Sequence, residues 1–148
     1  MVTHNVAYTS PINKAGATPI LTQAQVWEGL KLKVRRAQDF VPAITACEVL
    51  SEETLPTGEL QTTRLVELVP AGGSAKSVKE VCMEYAPCRV TFQQEDGSSV
   101  MNVISTRPDG ELLLSYIFEW RHPDVAEGSE KASQLEAAHW EVSQFPAL

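Results

Sequence analysis

The stretch Glu119-Trp120-Arg121-His122 sets a carboxylate, an indole, a guanidinium and an imidazole on consecutive residues. A proton-transfer group, an anion anchor and an apolar platform would each find a suitable side chain there. Periodicity argues against a single site. Residues 111–121 read as a strand, whose side chains alternate between two faces. Leu112, Leu114, Tyr116, Phe118 and Trp120 then share one face, and Leu113, Ser115, Ile117, Glu119 and Arg121 share the other. The large apolar set predicts the inward face. Glu119 and Arg121 are expected outside as a cross-strand ion pair. His122 continues the inward phase at the strand's end, before Pro123, where it is either solvated or at the rim of an enclosed space.

Arg64 poses a sharper question. In GELQTTRLVEL (58–68), Leu60, Thr62, Arg64, Val66 and Leu68 share a face, which is the more apolar of the two. A guanidinium on such a face requires a carboxylate or a ligand oxygen, because an unpaired buried charge is very costly. Glu80 on the following strand is a matching partner; a ligand carbonyl or carboxylate is the other. The catalytic candidates are therefore Arg64, Tyr116 and His122. Tyr85, Asn102, Trp120, Phe118, Glu80 and His139 are the candidates for lining a ligand cavity. Ordinary core tyrosines with satisfied hydroxyls are the plain alternative for Tyr85 and Tyr116.

Other chemistries find little support. His4, His122 and His139 show no pairwise metal spacing, and Cys82 and Cys88 do not form a Cys-x-x-Cys, so no metal and no cofactor are expected. AGGSAKS (71–77) resembles a phosphate loop only superficially, lacking a glycine immediately before Lys76 and lying between two strands. No Gly-x-Ser-x-Gly elbow is present. Lys31, Lys33, Arg35 and Arg36 are expected on a solvated helix face.

The elements that must position these residues follow from the patterning. The 148 residues fit one domain, 1–148, with 43% hydrophobic and 21% charged residues. A net charge of −7 disfavours nucleic acid, and no apolar run reaches membrane-spanning length. The N-terminus lacks the basic and apolar regions of a signal peptide, and three scattered cysteines favour reduced thiols, so a cytoplasmic location is expected. A homodimer is the one assembly left open.

THNVAY (3–8) reads as a first strand. TQAQVWEGLKLKVRRA (22–37) reads as an amphipathic helix opened by a Thr22/Gln25 capping box, with Gly29 marking a close approach to another element. DFVPA (39–43) is a short turn or helix. Six strands follow at 44–54, 59–69, 78–85, 88–95, 99–106 and 111–121, separated by turn signals such as Asp96-Gly97. Connections this short join antiparallel neighbours. Residues 128–145 then read as a helix with Ala132, Leu135, Ala138, Val142 and Phe145 along one stripe. The fold class is α+β, a curved antiparallel sheet of about seven strands around a C-terminal helix. One helix cannot fill the hollow of so long a sheet everywhere, so a cavity is expected.

This order of elements resembles the helix-grip fold of the START/SRPBCC superfamily. LTQAQVWEGLKLKVRRAQDFVPAITACEVL (21–50), VKEVCMEYAPCRVTF (78–92) and GELLLSYIFEWRHPDVAEGSE (110–130) resemble the AtaL-like family within it, the EWRHP…GS ending most distinctively. The long terminal helix of that pattern is here replaced by QLEAAHWEVSQFPAL, ending early at Pro146. The resemblance supplies no catalytic motif. It implies a hydrophobic small molecule as partner and a role in secondary metabolism. That role is a cofactor-free cyclase or isomerase of the pericyclase type, or alternatively a non-catalytic binding or carrier protein.

Overall fold

The computed structural model describes residues 1–69 and 73–144, with side chains described as far as residue 140. The strands are β1 (Val2–Pro11), β2 (Ile44–Thr54), β3 (Leu60–Leu68), β4 (Lys76–Tyr85), β5 (Arg89–Gln94), β6 (Ser99–Thr106) and β7 (Leu112–His122). Helix α1 (Gln23–Arg35) and a 3-10 turn (Ala37–Asp39) separate β1 from β2, and helix α2 (Glu130–Gln144) is the last element among the described residues. The seven strands form one antiparallel sheet in the order β1-β7-β6-β5-β4-β3-β2. It is the expected α+β architecture, with the first strand closing the sheet beside the last.

Turn chemistry sets the register. At the β5–β6 hairpin Gly97 has φ +90, which calls for glycine, and a Cβ there would also displace the Arg121 side chain, whose Cδ would lie 2.9 Å away. The register aligns inward residues across the sheet: Arg64 faces Glu80, Cys82 faces Phe92, and Asn102 faces Tyr116. On β7 the inward phase holds, since Leu114, Tyr116 and Phe118 are buried while Ile117 is exposed. Glu119 and Arg121 lie on the outer face as expected. Their ion pair, at 2.6 Å, runs along the strand rather than across to a neighbour.

Helix α1 fills the hollow of the sheet. The capping box forms, with the Gln25 N–H donating to Thr22 Oγ1 at 3.2 Å and the Thr22 N–H donating to Gln25 Oε1 at 2.9 Å. Val26, Trp27, Leu30 and Val34 are buried in one cluster with Val90, Phe92, Ile104, Leu114, Tyr116 and Phe118. Each such side chain contributes about 1.5–3 kcal/mol on leaving water, an upper estimate for folding. Lys33 lies on the same stripe and is 7% exposed. It corrects the solvated basic face: spacing from Val26 and Leu30 overrides residue type, and only Lys31 and Arg36 keep a largely surface role. Arg35 is partly covered, reaching Glu52 at 2.7 Å and the buried Glu84 at 3.5 Å.

Helix α2 packs against the edge strand β1, with Ala132 buried. Phe145 and Pro146 lie outside the described residues, as does the Val142 side chain. Residues 70–72 of the β3–β4 connection are likewise outside them.

Arg64 joins the sheet to α1. Its Nη2 and Nε donate to Glu80 Oε1 at 2.7 and 3.1 Å, and its Nη1 donates to the carbonyls of Lys33 and Val34 at 2.9 and 2.8 Å. Those carbonyls belong to the last turn of α1, where a helix leaves acceptors unsatisfied and favours positive charge. Arg64→Met strands the buried Glu80 carboxylate and both carbonyls, a cost of roughly 3–5 kcal/mol. The melting temperature is expected to drop by roughly 10 °C or more. The double variant Arg64→Met/Glu80→Met should lose less than the two single losses combined, as measured by thermal denaturation in a double-mutant cycle.

Candidate functional site

Of the residues expected to form a site, Arg64, Glu80, Asn102, Tyr116, Phe118, Trp120 and His122 all project from the same face of the sheet. His139 approaches that face from α2. Tyr85 does not. Glu80, Cys82 and Glu84 occupy the inward phase of β4, so Tyr85 points from the opposite face, where the Arg89 guanidinium stacks 4.0 Å from its ring centre. The alternation that makes Glu80 inward makes Tyr85 outward.

The inward residues divide into three groups along the sheet. At the first lies the Arg64–Glu80 joint, in which four of the five guanidinium N–H directions are already taken. Gln94 adds a bond to Glu80 Oε2 at 3.3 Å. This geometry makes Arg64 and Glu80 an internal pair, with little donor capacity left for a ligand.

The second group surrounds Lys33. Its Nζ donates to Asn102 Oδ1 at 2.9 Å and lies 5.0 Å from the ring centre of Tyr116 and 5.9 Å from that of Phe92. Burial, and then the neighbouring Arg64, push its pKa down to about 8, with Glu80 opposing. Asn102 is fully buried, and its Nδ2 has no hydrogen-bond partner. Burial pushes the Tyr116 phenol well above its ordinary range, so it keeps its proton. Tyr116 also lines a cleft of about 310 Å³ between α1, the end of β1 and β7, together with Ile12, Val26, Gly29, Phe40 and Leu114. Gly29 lines this cleft, so the structure puts open space beside it rather than the close approach of another element. Lys33 was missed because its charge argued for solvent, although it falls seven residues after Val26 and three after Leu30. Glu84 was missed too, although it shares the phase of Glu80.

The third group is aromatic. Tyr116, Phe118 and Trp120 stack along β7 with ring centres 6.3 and 5.8 Å apart. His139 then stacks on Trp120 at 5.0 Å and on His122 at 5.1 Å. The His122 and His139 Nε2 atoms are 2.9 Å apart, and His4 on β1 places its ring centre 5.6 Å from both. His122 is therefore partly buried among imidazoles rather than solvated. The sequence offered no metal spacing, yet topology brings these three histidines together, with one potential ligand atom of each within 4.8 Å of the others. Burial, with the other imidazoles adding, holds His139 down to about 4; His122 is also lowered, by burial and then by His4. Tyr116 and His122 are six residues apart on one strand, about 20 Å, so they do not act on the same bond of a small substrate.

Residues 6–146 match the family described as AtaL, acetylaranotin biosynthesis cluster protein L. The protein of that name from Aspergillus terreus is 28% identical over 141 residues, which is 95% of this chain and 81% of that protein. Among solved structures, the di-domain ARO/CYC BexL from the BE-7585A biosynthetic pathway superposes with a TM-score of 0.64 at 12% identity over 96% of this chain. The di-domain ARO/CYC StfQ from the steffimycin biosynthetic pathway gives 0.55 at 16% identity over 93% of this chain. The chain spans 46% and 44% of those two proteins. Major latex-like protein 151 from Panax ginseng gives 0.53 at 12% identity, covering 96% of both chains. At such identities the structural likeness is one of fold, that of the helix-grip proteins. With the family matched over nearly its whole length, this chain belongs to the AtaL family, and its fold is that of the helix-grip proteins.

Proposed function

We propose that this chain is a cofactor-free cyclase or isomerase that folds a hydrophobic intermediate of secondary metabolism in the cleft between α1 and β7. The observation that carries this reading is the placement of Tyr116. Its protonated phenol belongs to the wall of a cleft in which Ile12, Leu21, Val26, Phe40 and Leu114 are apolar lining residues and Ser10, Lys14 and Gln25 are polar ones. A volume of about 310 Å³ is at the small end of the range for ligand sites. Family membership and the relative's place in a biosynthesis cluster support secondary metabolism as the setting.

The mechanism follows from few groups. The apolar part of the wall holds a flexible substrate with its reacting carbons close together, which alone supplies several kcal/mol of barrier lowering. Tyr116 donates a hydrogen bond to a carbonyl oxygen of the substrate. Lys33, charged below about pH 8, lies behind the Tyr116 ring, where its positive charge stabilises an enolate developing in the cleft. A carrier that only binds would use the same cleft, and the commitment of Arg64 to Glu80 and α1 favours that second reading by leaving fewer polar groups for chemistry.

Native mass spectrometry of the purified chain identifies the molecule that co-purifies, and turnover of that molecule separates the two readings. For the cyclase, Tyr116→Phe is expected to lower kcat about 100- to 1,000-fold while changing binding less than about ten-fold. Binding with no turnover by the unmodified chain makes it a carrier. Gly29→Leu fills the cleft while improving helix propensity by about 1 kcal/mol, so a well-folded variant should bind at least about ten-fold more weakly. Unchanged affinity in that variant places the ligand elsewhere.

The pH dependence has a defined sign. The folded Lys33 loses its proton at about 8 and the unfolded one at 10.5. Its burial therefore costs stability while it is charged, and that cost is relieved as pH rises from about 8 to 10.5. Catalysis assisted by the ammonium instead declines as pH rises through about 8. A pH–rate profile should show this falling limb, and Lys33→Met should abolish it.

A further inference from the structure

The histidine cluster lies at the other end of β7 from the cleft proposed for the substrate. We propose that His4, His122 and His139 bind a divalent cation of the zinc class, with a fourth coordination position open to solvent.

Four observations carry this. One nitrogen from each ring lies within 4.8 Å of the others, and the rings come from three separate elements, β1, β7 and α2. Metal–nitrogen bonds of 2.0–2.1 Å in a tetrahedral site place ligand nitrogens about 3.3 Å apart. The 2.9 Å between His122 Nε2 and His139 Nε2 is a few tenths below that, so the pair reaches coordinating distance once the two rings separate slightly and turn toward a common point. His4 is 6% exposed and its Nδ1 is buried with no hydrogen-bond partner, a cost that coordination removes. Among the described residues no carboxylate forms an ion pair with any of the three; the His122 and His139 Nε2 atoms hydrogen-bond to each other instead, a contact that a shared metal would replace.

The surroundings suit such an ion. Trp120 stacks on His139 and fixes its plane. His4 also lines a separate cleft of about 430 Å³ between β1 and α2, whose other walls include Glu127, Ser133 and Glu136. Two carboxylates beside a partly open cleft draw cations toward it. Three histidines with an open fourth position are the ligand set of a site that holds water or a small anion on the metal. Because His139 stands on α2 while His4 and His122 stand on the sheet, the ion also ties the terminal helix to the edge of the sheet.

The test uses the full chain, stripped with a chelator and titrated calorimetrically with zinc chloride, with magnesium chloride as the control. One zinc per chain is expected, tighter than about micromolar, with no comparable response to magnesium. Cobalt(II) should give the intense visible absorption of a tetrahedral site. His139→Gln and His122→Gln, each on a partly exposed ring, should each weaken zinc more than about 100-fold while the far-ultraviolet dichroism is unchanged. Absence of one-to-one binding, an octahedral cobalt spectrum, or zinc affinity unchanged in both folded variants overturns the proposal. None of these readouts involves turnover, so the outcome is independent of the role assigned to Tyr116.

Discussion

The structure depends on how one buried guanidinium is satisfied. Arg64 points from the middle of β3 into the apolar hollow of the sheet, where a charge without partners is not tolerated. Its solution is to take Glu80 from the next strand and the last-turn carbonyls of α1 together. One side chain therefore sets the rotation and depth of α1 against the sheet. Those two quantities decide what α1 buries: Val26, Trp27, Leu30 and Val34 beneath it, and Lys33 alongside.

Lys33 follows from that constraint. Docked as it is, α1 presses a lysine against Phe92 and Tyr116, where Asn102 is the acceptor within reach. The desolvated ammonium and its neighbour Arg64 repel one another, and Glu80 compensates in part. Buried charge of this kind is weak support for stability and is more often found where chemistry needs it. The cleft lined by Gly29 and Tyr116 lies next to it, and the aromatic stack then runs down β7 to the histidines. Strand alternation is the common cause, since every one of these β7 residues stands in a single phase.

That alternation was legible in the chain alone. It separated Trp120 and His122 from Glu119 and Arg121, and it paired Arg64 with Glu80, because both inferences need only a period of two and a hairpin register. The Thr22/Gln25 cap was legible for the same local reason. Lys33 was hidden because residue type argued against what helical spacing implied. Tyr85 was misplaced because its aromatic character was weighed without its phase against Glu80. The histidine cluster was beyond reach of spacing rules: the first strand pairs with the last, so His4 and His122 become neighbours through topology and not through sequence. The C-terminal helix was legible from its stripe: α2 packs on β1 and brings His139 onto the inner face of the sheet, whose hollow it shares with α1.

The central claim is that Arg64 holds α1 in place and so shapes the cleft. Hydrogen exchange across α1, compared between the native chain and Arg64→Met under conditions where both are folded, tests this most directly. The account predicts that amides in the last two turns of α1 lose protection selectively, while those of β5, β6 and β7 keep theirs. Protection in α1 that is unchanged, or that falls uniformly across helix and sheet, would contradict it.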